Sequence, residues 1–169
     1  MSLAKDLLEQ ARHLATREPK RPKQASLRRA ISAAYYALFH LLASEAAGKL
    51  APSQPAGLKD AMQRAFAHGE MKAVCKAFSG TPANLPRPAN GLVVAPLQPE
   101  LQKVAKAFVE LREARHSSDY DLTFSVTKID AQTLIQTVDD AFASWAVVRG
   151  SANANVFLAA MLLQGKWSR

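Results

Sequence analysis

The chain holds a single cysteine, Cys75, in 169 residues, which rules out an intramolecular disulfide and any zinc cluster built on several thiolates. A reducing, cytoplasmic setting fits that usage. The four histidines, His13, His40, His68 and His116, show no His-Glu-x-x-His pairing, so no metal site and no cofactor is expected. No glycine-rich loop ends in Lys-Ser or Lys-Thr, and no Gly-x-Ser-x-Gly turn occurs, which removes the P-loop and nucleophile-elbow chemistries. The most apolar stretches, WAVV and VFLAAMLL, are interrupted by Arg149, Gly150, Ser151 and two asparagines. They fall short of the roughly 20 residues a spanning helix needs. The amino-terminal MSLAKDLLEQARHLA carries charge in a heptad-like pattern where a signal peptide would be apolar, so a soluble chain without a membrane partner is expected.

Glycine is also scarce, at seven residues, and runs of β-branched residues are few, while apolar residues make up 49 % of the chain with frequent Ala and Leu. That composition favours an all-α protein, and the length suits one domain over 1–169. Leu3, Leu7, Leu8, Ala11 and Leu14 repeat at helical spacing and end before Pro19. A second, long helix runs from about Ser26 to Ala46, with Leu27, Ile31, Ala34, Leu38, Leu41 and Leu42 as its apolar face, and breaks at Gly48 and APSQPAG. The next helical pattern, Leu58 to Phe66 and Met71 to Phe78, is interrupted near Gly69. Residues 79–99 hold a Pro-rich loop that cannot continue a helix and is long enough to be a cover or a functional segment. Pro99 then opens a helix with Leu101, Val104, Ala105, Phe108 and Leu111 on its buried face. A small-polar cap, either Thr127 with Asp130 three residues later or Asp130 itself, starts a last helix, with Ile129, Leu134, Val138, Phe142 and Trp145 on one face. It runs on through Val156 to Leu163 with a bend at Gly150 and Ser151. The architecture expected is an antiparallel bundle of four or five helices.

Formal charge is +8 and the isoelectric point about 9.9, which biases the surface towards anions such as nucleic acid. REPKRPK at 17–23 and the LRR that follows put six bases beside Glu18, as either a solvated loop or a phosphate-contacting patch. More unusual is LREARHSSDYD at 111–121, where Arg112, Arg115 and Asp119 fall in the same helical sector as Leu101, Ala105 and Phe108. An arginine buried without a partner costs several kcal/mol, so the row implies ion pairs, an interface or a ligand pocket. Asp119 is the i+4 partner of Arg115. The second helix carries a matching stripe of Arg29, Ser32, Ala33, Tyr36 and His40 away from its leucine face. Tyr36 and His40 read either as ordinary packing groups or as a hydroxyl and an imidazole facing a ligand.

Together, RRAISAAYYALFHLL and LREARHSSDYD resemble the two signature regions of HEPN-domain proteins, over most of the chain. The resemblance implies a helical bundle that forms a two-fold homodimer with the late-helix motif of both copies at one cleft. It also implies a role in binding RNA or nucleotides, or a metal-independent ribonuclease or toxin activity, in some members beside a nucleotidyltransferase partner that modifies the motif tyrosine. In the ribonuclease form an arginine is followed by a histidine. Arg112 and Tyr120 match that pattern, but Ser118 stands where the histidine is expected, and His116 has only three residues between itself and Arg112. The chain is similar to a variant branch in which arginines precede a small residue and Asp-Tyr-Asp. Metal-free cleavage needs a base as well as a cation, and a serine cannot titrate near neutral pH.

The expected function is therefore binding of RNA or a nucleotide in a stress, defence or toxin-antitoxin setting, through Arg29, Tyr36, His40, Arg115, Asp119 and Asp121. Two alternatives stand beside it. One is a metal-independent endoribonuclease using Arg112, His116 and Tyr120, with His40 across the dimer as a second candidate base. The other is a non-catalytic structural or partner-binding module locked by buried ion pairs.

Overall fold

Helical periodicity carries over into the backbone. A computed structural model describes residues 2–82, 85 and 87–167, and among those residues it contains eight helices and no strand. They are α1 (Leu3–Thr16), α2 (Gln24–Leu50), α3 (Ala56–Arg64), α4 (His68–Phe78), α5 (Arg87–Asn90), α6 (Pro99–Tyr120), α7 (Lys128–Val148) and α8 (Ala152–Trp167). This is a helical bundle, with more and shorter pieces than the four or five expected. The extra pieces come from the interruption expected near Gly69, from the bend expected at Gly150 and Ser151, and from α5 inside the Pro-rich loop. Gly48 is accommodated inside α2, α4 begins at His68 so that Gly69 lies in its first turn, and the last pattern splits into α7 and α8 through a bend of 119°. No single helix among the described residues is long and apolar enough to cross a membrane.

The chain resolves into two compact units, Met1–His40 with Ala107–Phe142 and Leu41–Lys106 with Ala143–Arg169. Unit 1 is built from α1, the first part of α2, the second part of α6 and most of α7. Its core holds Leu27, Ile31, Ala34, Tyr35 and Leu38 of α2, Phe108 and Leu111 of α6, and Ala131, Ile135 and Val138 of α7. Tyr35 and Phe108 pack with ring centroids 5.5 Å apart. On α1 the buried stripe is Ala4, Leu8, Ala11 and Ala15, whereas Leu3 is exposed and Leu7 and Leu14 sit half-buried at its flank. On α7, Val138 and Trp145 are buried as expected and Leu134 and Phe142 are half-buried, but Ile129 is 73 % exposed and the first turns bury Ala131 and Ile135 instead. Alanines let helix backbones approach closely, which places the seam on the small residues and leaves the neighbouring large ones at its edge.

The start of α7 follows the expected cap. Thr127 Oγ1 accepts the Asp130 N–H at 3.1 Å, and Asp130 Oδ2 in turn accepts the Thr127 N–H at 3.0 Å and hydroxyl at 2.7 Å. The hydroxyl first and the backbone N–H second hold the Asp130 carboxyl below the usual range. The segment before it, 121–126, is fastened to the first turns of α2. Gln24 Nε2 donates to the Val126 carbonyl at 2.8 Å and Gln24 Oε1 accepts the Val126 N–H at 3.0 Å. One turn on, Arg28 donates to the Asp121 carbonyl at 2.7 Å and to that of Phe124, with its guanidinium over the Phe124 ring.

Unit 2 packs α4 on α8 around Phe78, Phe157 and Trp145, with the Phe78 and Phe157 rings 5.0 Å apart. A Cβ added at Gly165 of α8 would lie 2.2 Å from Glu70 Oε1 of α4, so a glycine there admits that side chain. The Pro-rich loop is neither free nor wholly irregular. It contains α5 and a cis Ala95–Pro96 bond, and it buries Leu85, Ala89 and Leu97. Residues 83, 84 and 86 of that loop lie outside the described residues. Buried Asn153 of α8 holds the loop by its amide: Nδ2 donates to the Val94 carbonyl and Oδ1 accepts the Val94 N–H, both at 2.8 Å. Nδ2 also donates to Gln98 Oε1 at 2.9 Å. As expected, Pro99 occupies the first position of α6.

Substituting Asn153→Ala strands both polar groups of Val94, so stability should fall by about 1 to 3 kcal/mol. Denaturant titration reads the loss, and amide exchange at Val94 should accelerate with it. Unchanged exchange at Val94 would show that the loop is held by its prolines and buried leucines alone.

Candidate functional site

The cluster that the arginine row implies forms within unit 1, between the last turns of α6 and the middle of α2. Arg115 Nε lies 2.7 Å from Asp119 Oδ2, with each side chain only 20 % exposed. The two are an ion pair by distance, but the Nε–H is not aligned on the oxygen. Arg115 Nη2 donates to the Tyr36 hydroxyl at 3.1 Å, and the buried Ser32 hydroxyl donates to Asp119 Oδ1 at 2.6 Å. The guanidinium also lies over two aromatic rings, 5.5 Å from the Tyr36 centroid and 5.4 Å from that of Tyr120. Burial acts to lower the Arg115 pKa, but Tyr36, Asp119 and Tyr120 outweigh it and hold it above its ordinary value. Arg115 is thus a fixed cation whose charge is already answered.

Asp119 stands in the last turn of α6, where the helix dipole disfavours an anion by about 0.3 to 1 kcal/mol. A hydrogen bond to a charged group contributes about 1.5 to 3 kcal/mol, so the Ser32 bond and the Arg115 pair together outweigh the dipole. The position breaks a local helix rule because the tertiary contact overrides it.

The other residues of the row behave differently. Arg112 is half-buried, and its Nε is shielded from solvent without a hydrogen-bond partner; it joins neither Asp119 nor another described acid. Of the readings the row implied, the ion pair therefore forms at Arg115 and not at Arg112. His116 is exposed, one turn after Arg112, and its ring packs 5.1 Å from that of Tyr120. Tyr120 is 63 % exposed although Arg115 and His116 hold its ring. Arg112, His116 and Tyr120 follow one another at i, i+4 and i+8 and so form a row along α6. Ser118 turns inward, 3 % exposed, with its hydroxyl unpartnered, and lies on the core stripe after Leu111.

Asp121 is not part of this constellation. Its carboxylate accepts the Thr123 hydroxyl at 2.7 Å and N–H at 2.8 Å, bonds that hold its pKa below the usual range and shape the turn after α6. His40 is half-buried against Phe39 and Tyr36, with centroids 5.3 and 6.3 Å away, and burial lowers its pKa. That favours a neutral packing ring. Arg29 is exposed, has no acidic partner among the described residues, and opens onto a pocket beside Ser32 and Tyr36. Among the described residues no three His, Cys, Asp or Glu side chains gather as a metal site requires. Arg28, counted in the sequence only among the bases of a solvated loop or phosphate-contacting patch, and Gln24, not singled out at all, instead hold backbone groups about a hundred residues away.

Comparison with family models, with curated proteins and with solved structures gives no match to this chain. The HEPN resemblance therefore rests on the motif residues alone.

Asp119→Asn keeps the shape of the cluster and removes the charge that answers Arg115. It should lower stability by about 1 to 3 kcal/mol, the range for a charged partner withdrawn from a largely buried group. Ser32→Ala should cost less, about 1 kcal/mol, because Arg115 still holds the carboxylate. Equal losses for the two variants, read by thermal and urea unfolding, would show that the charge itself contributes nothing.

Proposed function

We propose that unit 1 binds RNA, or a nucleotide, by stacking a base on Tyr120 with Arg112 and His116 alongside, in a HEPN-like module that works as a homodimer. The observation that carries this reading is the Tyr120 ring, solvent-facing yet held by the Arg115 guanidinium and the His116 imidazole. An aromatic face held in advance loses little freedom when a base stacks on it, and such stacking contributes about 1 to 3 kcal/mol per base. Arg112 supplies the cation of the row.

The structural alternative draws support from a specific observation, the closed set of contacts among Arg115, Asp119, Ser32 and Tyr36. The two readings divide the motif between them: Arg115 and Asp119 act as a lock, and Arg112, His116 and Tyr120 as the surface the lock supports. Cleavage ranks below binding, since Ser118 supplies no base and is buried, leaving His116 as the imidazole nearest the row.

Fluorescence anisotropy with a short single-stranded RNA tests the reading. Tyr120→Ala should weaken binding about tenfold or more, Tyr120→Phe should preserve it, and affinity should fall steeply with added salt. Parent-like affinity in Tyr120→Ala would overturn the stacking role. Metal-free cleavage in EDTA that disappears in a folded His116→Ala variant would instead make the ribonuclease reading primary.

Light scattering at tens of micromolar, an order-of-magnitude range for an obligate interface, should give the mass of a dimer. A monomer there removes the two-fold cleft from the proposal and leaves the row of α6 to act alone.

A further inference from the structure

The row on α6 does not use the arginine of the matching stripe on α2. Arg29 of α2 is exposed, unpaired by any described acid, and borders a pocket of about 120 Å³ lined by Leu7, Gln10 and Leu14 of α1 and by Ser32 and Tyr36 of α2. A pocket of that size is too small for a whole nucleotide, since ligand sites usually hold about 300 Å³ or more. It suits one small group.

We infer that this pocket receives a phosphate group, either the terminal phosphate of an RNA or the phosphate of a free nucleotide, with Arg29 as its principal ligand. Arg29 brings a planar fork of donors suited to a phosphate, and Gln10 adds an amide that can donate to the same anion. Asp119, which accepts the hydroxyl of the lining residue Ser32, has its charge answered by Arg115. The field points the same way. Residues 1–40, which form all of the pocket's lining, hold eight Lys and Arg against three Asp and Glu. Within that stretch Arg17, Lys20, Arg21 and Lys23 are exposed on the segment leading into α2. Such clustering raises the local potential for an anion.

The apolar side of the pocket explains a feature of α1. Leu7 and Leu14 stand one turn either side of Gln10 or nearly so, off the buried alanine stripe, and with Ala33 they wall the site against water. A charge-assisted bond made against such a wall is stronger than the same bond in open solvent. The inference takes its ligand class from the nucleotide reading but uses none of the residues of the α6 row.

Three ligands on the parent chain and on two variants, Arg29→Gln and Ala33→Met, test it. The ligands are a 5′-phosphorylated RNA, the same RNA with a 5′-hydroxyl, and a nucleoside monophosphate competed by inorganic phosphate. Ala33→Met fills the pocket while leaving Arg29 in place, and circular dichroism with thermal melting checks that both variants fold. The parent should favour one phosphorylated ligand about tenfold over its phosphate-free counterpart, roughly the worth of one charge-assisted bond. Both variants should lose that preference. A preference for the phosphorylated RNA assigns the pocket to an RNA end, and binding of the monophosphate alone assigns it to a free nucleotide; either supports the inference if both variants abolish it. RNA binding that ignores the 5′ group, with no monophosphate bound, overturns the pocket and leaves the Tyr120 reading standing. Pocket-dependent monophosphate binding without RNA binding does the reverse for RNA. No binding of any ligand overturns both.

Discussion

A guanidinium that cannot leave the buried flank of a helix must be answered where it lies, and in this chain that requirement falls on Arg115. Its position after Phe108 and Leu111 on α6 is set by the helical repeat, so its solvation can be replaced only by neighbours. Asp119 supplies charge, Tyr36 supplies an acceptor, and the rings of Tyr36 and Tyr120 supply polarisable faces. Because Ser32 and Tyr36 belong to α2 while Asp119 and Tyr120 belong to α6, the same contacts fix the register of the two helices within unit 1. The exposed tyrosine is held as a consequence of solving the burial problem. A surface able to stack a base and a lock able to hold a bundle are here two sides of one arginine.

Long connections are managed by a second device that recurs in each unit. A side-chain amide on a helix accepts the N–H and donates to the C=O of one loop valine: Gln24 on Val126 in unit 1, Asn153 on Val94 in unit 2. Such a pair satisfies two backbone groups that a helix or sheet would otherwise satisfy, at the cost of ordering one short side chain. It lets a segment without regular structure lie against a core without stranding polar atoms. The loop at 79–99, whose proline content forbids a long helix, is held in this way, and it buries leucines and an alanine.

What could be read from the sequence divides along the same physical line. The cap of Thr127 and Asp130, the helical position of Pro99, the apolar face of α6 and the pair of Arg115 with Asp119 are local, four residues or fewer apart, and each stands where the pattern put it. The faces of α1 and α7 hold at Leu8, Ala11, Val138 and Trp145 and fail at Leu3 and Ile129, because hydrophobicity gives a leucine or isoleucine more weight than an alanine. Close helix packing instead prefers the small residue at the seam, which leaves Leu3 and Ile129 in solvent. Arg112 was grouped with Arg115 in a row implying ion pairs, an interface or a ligand pocket because its sector on the helix wheel looked buried, but the wheel carries no information about partners on other elements. The roles of Gln24, Arg28 and Asn153 were invisible for the complementary reason: they act on backbone atoms, and backbone carries no sequence signature.

The net charge of +8 also means something different once the units are separated. Unit 1 holds eleven Lys and Arg against ten Asp and Glu, whereas unit 2 holds eleven against four. Nearly all of the basic excess therefore belongs to the unit that does not carry the arginine motif. Unit 1 is close to neutral, since residues 107–142 contribute seven acids against three bases, the opposite of residues 1–40, and the two segments pair across α1 and α7 through Arg12 and Asp139. A strongly basic unit attracts any polyanion, and a near-neutral one contributes little to that general attraction. In a nucleic-acid reading the two tasks thus separate. The lysines of unit 2 would supply sequence-independent, salt-sensitive attraction, and the stacked tyrosine with its neighbouring cations would decide what is bound.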